Sequence, residues 1–532
     1  MTRSPWPGGP SGPRPDGESA TRTRSPKPGG PSGPGPDGEL APAGLVLRPD
    51  PGSRLLAGGT VLAGGSPVRV LRLTPHGARM VSGWWSGTPV PDNPKARALA
   101  RRLLDTGIAH PVPNPEPAGG SWGTSDVTVV VPVRDRQAEL ARCLAGLTPL
   151  PRVIVVDDAS ADPEAIARVA AGTGARVLRR PVNGGPGAAR NTGLAAAQTP
   201  LVAFLDSDCV PGPGWLDRLL PHFADPAVGA VAPRIVPAGD GRTWLARYEG
   251  ASSTLDMGAR ASIVRPGARV PYVPGAALVV RKDAAGSGFA EDMRVGEDVD
   301  FAWRLAASGW RVHYEPGAVV PHQHRVRLPA WFARRRDYGT SAAALELRHP
   351  GAVRPLYISA WTALAWLAAA SGRPAAGAAV TGAGIALLAR RLADVTGEPW
   401  PRPAARTSWL LAARLAGGGT LAAGRPLGSA ISRTWWPAAV PAAIAVRRLR
   451  LPLAALVLAP PLLDWLDRRP PLDPARYVAA RLLDDLGYSV GVWQGCARHR
   501  TVRPLLPVLT GRHLDRPRLK SAGTMTSSGD RS

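Results

Sequence analysis

Cysteine is nearly absent: Cys143, Cys209 and Cys496 are the only three in 532 residues. They are odd in number, far apart and without paired spacing. That excludes a disulfide framework and a thiolate zinc site, and it fits a reducing cytoplasm. Acidic residues are also sparse, with 40 Asp+Glu against 65 Lys+Arg and a formal net charge of +25. Such an excess can serve a nucleic-acid or an anionic-membrane partner. Here the basic residues are overwhelmingly arginine, scattered among Ala, Gly and Pro. No zinc finger, aromatic-basic module or basic recognition helix organises them, so no nucleic-acid partner is expected. An apolar signal-peptide core is missing from the first residues, and export is therefore not expected. No Gly-Lys-Ser/Thr follows the Gly-rich loop, which disfavours ATP hydrolysis.

What is abundant is glycine, 61 residues, and proline, 59 residues. They are dense in the first forty positions, where the string from Arg3 to Glu18 recurs almost unchanged from Arg24 to Glu39. A segment so poor in apolar surface cannot offset its chain entropy, so 1–43 is expected to be a disordered tail. The remaining length suffices for two or three compact units. A small unit, 44–113, carries short strand patterns at 61–62 and 68–73 and helical patterns at 75–85 and 95–104. Leu71-Arg72-Leu73-Thr74 before a helix, and Leu103-Leu104 before Gly107-Ile108, resemble the PqqD-like winged-helix domains that hold precursor peptides; a structural lid is the alternative. A Pro/Gly-rich linker, 114–125, follows.

The span 126–350 is the informative one. Apolar runs at 127–133, 153–157, 175–178, 201–206 and 228–232 alternate with helical segments, the mark of parallel strands covered on both faces. The expected fold class is α/β with a wound, mainly parallel sheet, whose ligands sit beyond the carboxyl ends of the strands. Polar groups collect at those ends: Pro132-Val133-Arg134-Asp135, Asp157-Asp158-Ala159-Ser160 and Asp206-Ser207-Asp208. Asp-x-Asp after an apolar strand suits a hard cation, Mg2+ or Mn2+, that bridges substrate phosphates. The loop from Asn183 to Gly193 permits close backbone approach to a ligand and opens a helix whose N-terminus favours negative charge. Arg190 within it can pair with phosphate or brace Asp206. Small residues in Tyr272-Val273-Pro274-Gly275-Ala276-Ala277 leave room for an acceptor, with Gly275 and Glu297 expected on that side. Asp298, in Gly296-Glu297-Asp298, stands where a carboxylate either caps a helix or takes a proton from an attacking hydroxyl.

This ordered set is similar to glycosyltransferase family 2 of the GT-A fold: Val129-Val130-Val131-Pro132, Val155 to Ser160, Asn183 to Gly193, Asp206-Ser207-Asp208 and Glu297-Asp298. The likeness covers about two-fifths of the chain. It implies an inverting, nucleotide-sugar-dependent transferase in which Pro132, Arg134, Asp157 and Asp158 contact the nucleoside. Asp206 would lie near ribose or metal, Asp208 would bind the metal, and Asp298 would be the base. His322 or His324, expected after a strand at 310–314 and its following loop, would touch metal or diphosphate. A narrower resemblance is carried by Gly64 to Arg69, Tyr338-Gly339-Thr340-Ser341, Arg348 to Gly351, Asp484 to Tyr488 and Gly491 to Gly495. These look like the actinobacterial mycofactocin-system glycosyltransferases. That implies transfer of glucose, in β linkage from UDP-glucose, to a redox carrier derived from a peptide, with 44–113 helping to recognise that acceptor.

The C-terminal span, 351–510, is expected to be helical. Its apolar stretches at 355–372, 374–389, 434–446 and 451–463 are short for spans. Arg447, Arg448 and Arg450 suit attachment to anionic lipid at the cytoplasmic face of the membrane rather than multiple crossings. A polar tail occupies 511–532. Competing readings are a transferase acting on a lipid or envelope polysaccharide, a non-catalytic peptide-binding scaffold, and a nucleotidyltransferase. The last is disfavoured because Val133-Arg134-Asp135-Arg136 lacks the glycine its phosphate loop needs.

Overall fold

The structure is a computed structural model that describes residues 39–112, 122–150, 152–239, 241–398 and 406–510. The repeated N-terminal string, most of the expected linker and the final polar tail lie outside the described residues.

The first unit opens with strand β1 (Leu47–Pro49), followed by β2 (Arg54–Leu56), β3 (Val61–Gly64) and β4 (Arg69–Arg72). Helices α1 (Pro75–Trp85) and α2 (Pro94–Thr106) come next, and β5 (Ala109–Pro111) returns to pair with β1. Both helices start on side-chain caps, Thr74 and Asn93, with proline in the first turn, the arrangement that satisfies otherwise free N–H groups. β2, β3 and β4 form an antiparallel sheet. Val61 and Ala63 of that sheet pack on Ala389, Leu392, Leu411 and Ala412 of the C-terminal helices. Arg101 forms a two-pronged ion pair with buried Asp225 at 2.7 Å for each bond, and Arg269 reaches back to Asp50 at 2.6 Å. The unit is thus clamped to the sheet domain.

That domain is built on eight strands: β6 (Val127–Val133), β7 (Val153–Asp158), β8 (Arg176–Arg180), β9 (Leu201–Leu205), β10 (Val228–Ala238), β11 (Ser262–Ile263), β12 (Ala277–Arg281) and β13 (Arg311–Gln323). Their order in the sheet is β11-β13-β10-β12-β9-β6-β7-β8. Pairings β8-β7, β7-β6, β6-β9 and β10-β13 are parallel; β12 and short β11 run against the rest. This is the expected GT-A-type α/β sheet, mainly parallel. In β6 (VTVVVPV) every residue but Pro132 is buried, because helices cover both faces and no face is left for alternating polar residues. Burying each such valine contributes about 1.5–3 kcal/mol. One core holds Val129, Val131, Leu140, Val155, Ile166 and Leu205; the other, across the sheet, holds Val130, Val156, Phe204, Leu278 and Phe301.

Helices α3 (Gln137–Ala145), α4 (Pro163–Ala171), α5 (Pro186–Ala196), α6 (Trp244–Ser252) and α7 (Glu297–Ala307) interleave with the strands, and α8 (Leu328–Arg348) leaves the sheet. The C-terminal region is helical, as expected. Pro374–Thr396 and Arg447–Arg468 are long and apolar enough to cross a membrane by length and composition. They carry exposed Leu387, Leu451, Leu458, Leu462 and Leu463. A final helix, Pro474–Arg498, lies along α8.

Candidate active site

A cleft of about 1050 Å³ opens over the carboxyl ends of β6, β7 and β9. Its walls include Pro132, Arg134, Arg136, Asp158, Asp206, Asp208 and His322. A second cavity of about 410 Å³ adjoins it, walled by Arg190, Gly275, Glu297, Asp298, Tyr272 and Tyr338. Asp206, Arg334, Tyr338 and His322 belong to both walls, so the two are chambers of one site. Parallel strands put these groups on one rim because each turns into its helix at the same edge.

Asp206 and Asp208 are held by backbone links. The Asp206 N–H donates to the Ala276 carbonyl at 2.9 Å, and the Cys209 N–H to the Asp206 carbonyl at 3.0 Å. The Gln323 N–H donates to the Asp208 carbonyl at 2.9 Å, and Cys209 bridges His322. This brings His322 Nε2 to 3.2 Å from Asp208 Oδ1. His322, expected beyond a strand at 310–314 and its loop, lies within β13 itself, opposite Pro237 of β10, because that strand continues well past Tyr314. Arg136 pairs with the other Asp208 oxygen; against burial, which raises it, the contacts with His322 and Arg136 hold the Asp208 carboxyl well below the usual carboxylate range. His324, just beyond, also lines the larger chamber, with its Nε2 2.7 Å from Ser253 Oγ, and burial pushes its imidazole down to about 4.

Arg190 is buried between two carboxylates. Its Nη1 donates to Glu297 Oε1 and its Nη2 to Asp206 Oδ1, each at 2.7 Å, with a further bond to the Gly275 carbonyl at 3.2 Å. It braces Asp206, one of the two roles expected of it. Burial and the neighbouring Asp298 charge push the Glu297 carboxyl up to about 7, against the opposing pull of Arg190. Asp298 does not cap its helix. The cap position is Gly296, with φ +84°, and Asp298 is the second residue of α7. Its Oδ2 accepts the Gly275 N–H at 2.7 Å and its Oδ1 the Val299 N–H at 2.8 Å.

The Asp-Asp pair divides. Asp158 lines the larger chamber, but its oxygens accept the Gly184 and Gly185 N–H groups at 3.0 and 2.7 Å and Arg180 Nε at 2.9 Å. It therefore shapes the Gly-rich loop at the mouth of α5. Asp157 is only 1% exposed and engaged by Arg179 and by the Ser160 N–H at 2.9 Å, so it stands behind the chamber wall. The arginine partners went unnoticed in the sequence. In the parallel β7-β8 register Asp157 faces Arg179 and Asp158 faces Arg180, and that alternation is the signal that could have found them. Arg334, on α8, was also missed because nothing local marks it. It lies in the walls of both chambers, its guanidinium 4.7 Å over the Tyr338 ring.

Among the described residues no three His, Cys, Asp or Glu side chains converge on one point to enclose a metal. Asp208 and His322 nonetheless fit part of a cation site. Asp208 Oδ1 is buried without a hydrogen-bond partner. The 3.2 Å between Asp208 Oδ1 and His322 Nε2 is near the edge, about 3.0 Å, of an octahedron with bonds of about 2.1 Å.

Comparison with known proteins agrees with this geometry. The model for "Glycosyl transferase family 2" matches residues 128–286. A pre-mycofactocin glycosyltransferase of Mycobacterium tuberculosis is 44% identical over 478 residues, covering 88% of this chain and 98% of that protein. The succinoglycan biosynthesis protein ExoU of Rhizobium meliloti is 31% identical over 35% of this chain and 58% of its own length. Among solved structures, the mannosyltransferase PcManGT of Pyrobaculum calidifontis, in complex with GDP-Man and Mn2+, superposes with a TM-score of 0.36 at 19% identity. It covers 68% of this chain and 86% of its own, a likeness too distant to bear on chemistry. With near-full-length identity to one relative and the acidic rim in place, the chain belongs to the pre-mycofactocin glycosyltransferases of family 2 and is a glycosyltransferase of the mycofactocin system.

Proposed function

We propose that the enzyme moves glucose from UDP-glucose, with inversion, to a hydroxyl of pre-mycofactocin or of the sugar chain growing on it. One observation carries the reading: two chambers meet at Asp206, one lined by Asp208, His322 and arginines, the other by Asp298. The first suits a nucleotide diphosphate and the second an acceptor. Pro132, Arg134 and Asp158 stand where a nucleoside would lie, with Asp157 supporting them from behind. Asp208 and His322 would hold Mg2+ or Mn2+, completed by donor phosphates. When bound, the cation offsets the charge that gathers on the departing diphosphate. Asp298 takes the acceptor proton while the freed oxygen attacks the anomeric carbon; the bond to the diphosphate breaks on the opposite face. The Gly275 N–H and the first turn of α7 fix the position of the Asp298 carboxylate through bonds to its two oxygens. The choice of glucose and of the peptide-derived acceptor rests on the resemblance to relatives, with 44–113 proposed to assist acceptor recognition. We also place the enzyme at the cytoplasmic face of the membrane, on anionic lipid, since Arg447, Arg448 and Arg450 are exposed beside exposed Ile444 and Leu451. The same apolar surface favours a lipid or envelope acceptor as the second reading.

The test is a panel of nucleotide sugars with pre-mycofactocin as acceptor, scoring diphosphate release and the anomeric configuration of the product. UDP-glucose and a β-glucoside are expected. Asp298→Asn should lower kcat by at least about 100-fold while donor affinity stays within about twofold. Retained turnover in that variant removes the base assignment.

A further inference from the structure

Two of the sequence motifs have no part in the chemistry above. Tyr338-Gly339-Thr340-Ser341 lies on α8, and Asp484 to Gly495 lies on Pro474–Arg498. Their backbones cross in near contact. A Cβ on Gly339 would stand 2.1 Å from the Tyr488 carbonyl oxygen, and one on Gly491 would stand 1.9 Å from that of Arg336. No larger residue fits a contact of that distance. The crossing sets Tyr338 and Tyr488 into the wall of the smaller chamber, which Tyr272 and Asp298 also line.

Arg433 joins them from an element remote in sequence. It lies in Ile431–Trp435, a five-residue π-helical stretch, a distortion that often re-aims side chains at functional sites. Its guanidinium lies 4.3 Å from the Tyr488 ring centroid, within cation–π range. Asp485 is 3.5 Å away, but Ser432 and Arg481 also engage that carboxylate. Arg433 thus shares Asp485 with Arg481, which lies at the same 3.5 Å. The Arg433 side chain is 29% exposed. It walls both the smaller chamber and a further cavity of about 150 Å³ that shares Ala342, Val353, Arg354 and Tyr488 with it. A planar guanidinium stacked on one face keeps its edge N–H groups for oxygen acceptors, and planar oxygens match that fork best.

We propose that Arg433, stacked on Tyr488, binds a carbonyl or carboxylate oxygen of the acceptor, distinct from the reacting hydroxyl, so that the C-terminal helices select the acceptor. This rests on reading the smaller chamber as the acceptor half. The experiment is calorimetric binding of pre-mycofactocin to the full-length enzyme in the presence of UDP. Arg433→Gln should weaken acceptor Kd by about tenfold or more, the size of a lost hydrogen bond to a charged group, while the Kd for UDP stays put. Arg433→Lys keeps the charge beside Asp485 but loses the fork; it should remain at least about fivefold weakened, whereas a purely structural ion pair would be restored by lysine. Tyr488→Leu should weaken acceptor binding and Tyr488→Phe should not. If wild-type enzyme fails to bind pre-mycofactocin, both the acceptor reading and this one fall. If it binds and Arg433→Gln or Arg433→Lys binds equally well, this one falls alone.

Discussion

The backbone N–H of Gly275 donates to Asp298 Oδ2 across 2.7 Å, so the segment entering β12 and the first turn of α7 meet on one carboxylate. The contact leaves no room for a side chain at that glycine. A Cβ there would lie 2.9 Å from Asp298 Cβ and 3.0 Å from Arg190 Nη2. Gly275→Ala should therefore displace the base and the arginine that braces Asp206. We expect kcat to fall by about 10- to 100-fold, the usual consequence of a displacement near 1 Å at a reacting group. Steady-state kinetics decide it, with a folding midpoint as control; wild-type turnover would show that Asp298 is not the base or that the contact is loose.

The pairing of Asp208 with His322 makes a prediction about metal. His322→Ala should raise the Mn2+ concentration needed for half-maximal donor hydrolysis by at least about tenfold. Asp208→Ala should abolish the metal response together with activity. Titrating Mn2+ into each variant with UDP-glucose present checks this, and an unchanged His322→Ala curve would place the cation elsewhere.

Glu297 carries a pH prediction. Its carboxyl is pushed up from 4.5 to about 7 by burial and by Asp298. A raised pKa means the folded protein holds this proton where the unfolded chain has released it. Between about pH 4.5 and 7 the folded state thus binds more protons, and stability falls as pH rises through that window. Glu297→Gln cannot titrate and should flatten that part of the slope. Urea midpoints at pH 5, 6 and 7 for the two proteins measure the difference; parallel slopes would refute the shift.

Arg101→Ala tests the clamp between the N-terminal unit and the sheet domain. It leaves Asp225 buried without its two-pronged partner, and stranding a buried charge typically costs about 3–5 kcal/mol. Chemical denaturation should show a loss of that order. A loss below about 1 kcal/mol would mean that water reaches Asp225 and the unit docks more loosely.

Much of the rim could be read in advance because it depends on local pattern. The apolar run 127–133 coincides with β6, and the helical pattern 75–85 with α1. Strands buried on both faces must be apolar throughout, so their polar ends stand out. Strand length was harder to foresee. β13 runs on to Gln323 because it pairs with β10 again after a bulge at 316–318, and that second stretch sets His322 beside Asp208. The role of Asp158 as an anchor for the Gly184 and Gly185 amides was likewise invisible, since nothing beside it in sequence announces those partners.

Residue types and their order along the chain already determined the α/β class, the acidic strand ends and the Gly-rich loop, since all three follow from nearest-neighbour chemistry and the period of burial. Tertiary structure alone decided which charges meet: Arg190 with Asp206 and Glu297, Asp208 with His322, Arg433 with Tyr488. Those partners are separated by 16 to 114 positions. Only the closing of the sheet and the crossing of α8 with the last helix bring them within reach, and no local propensity encodes a distance across the fold.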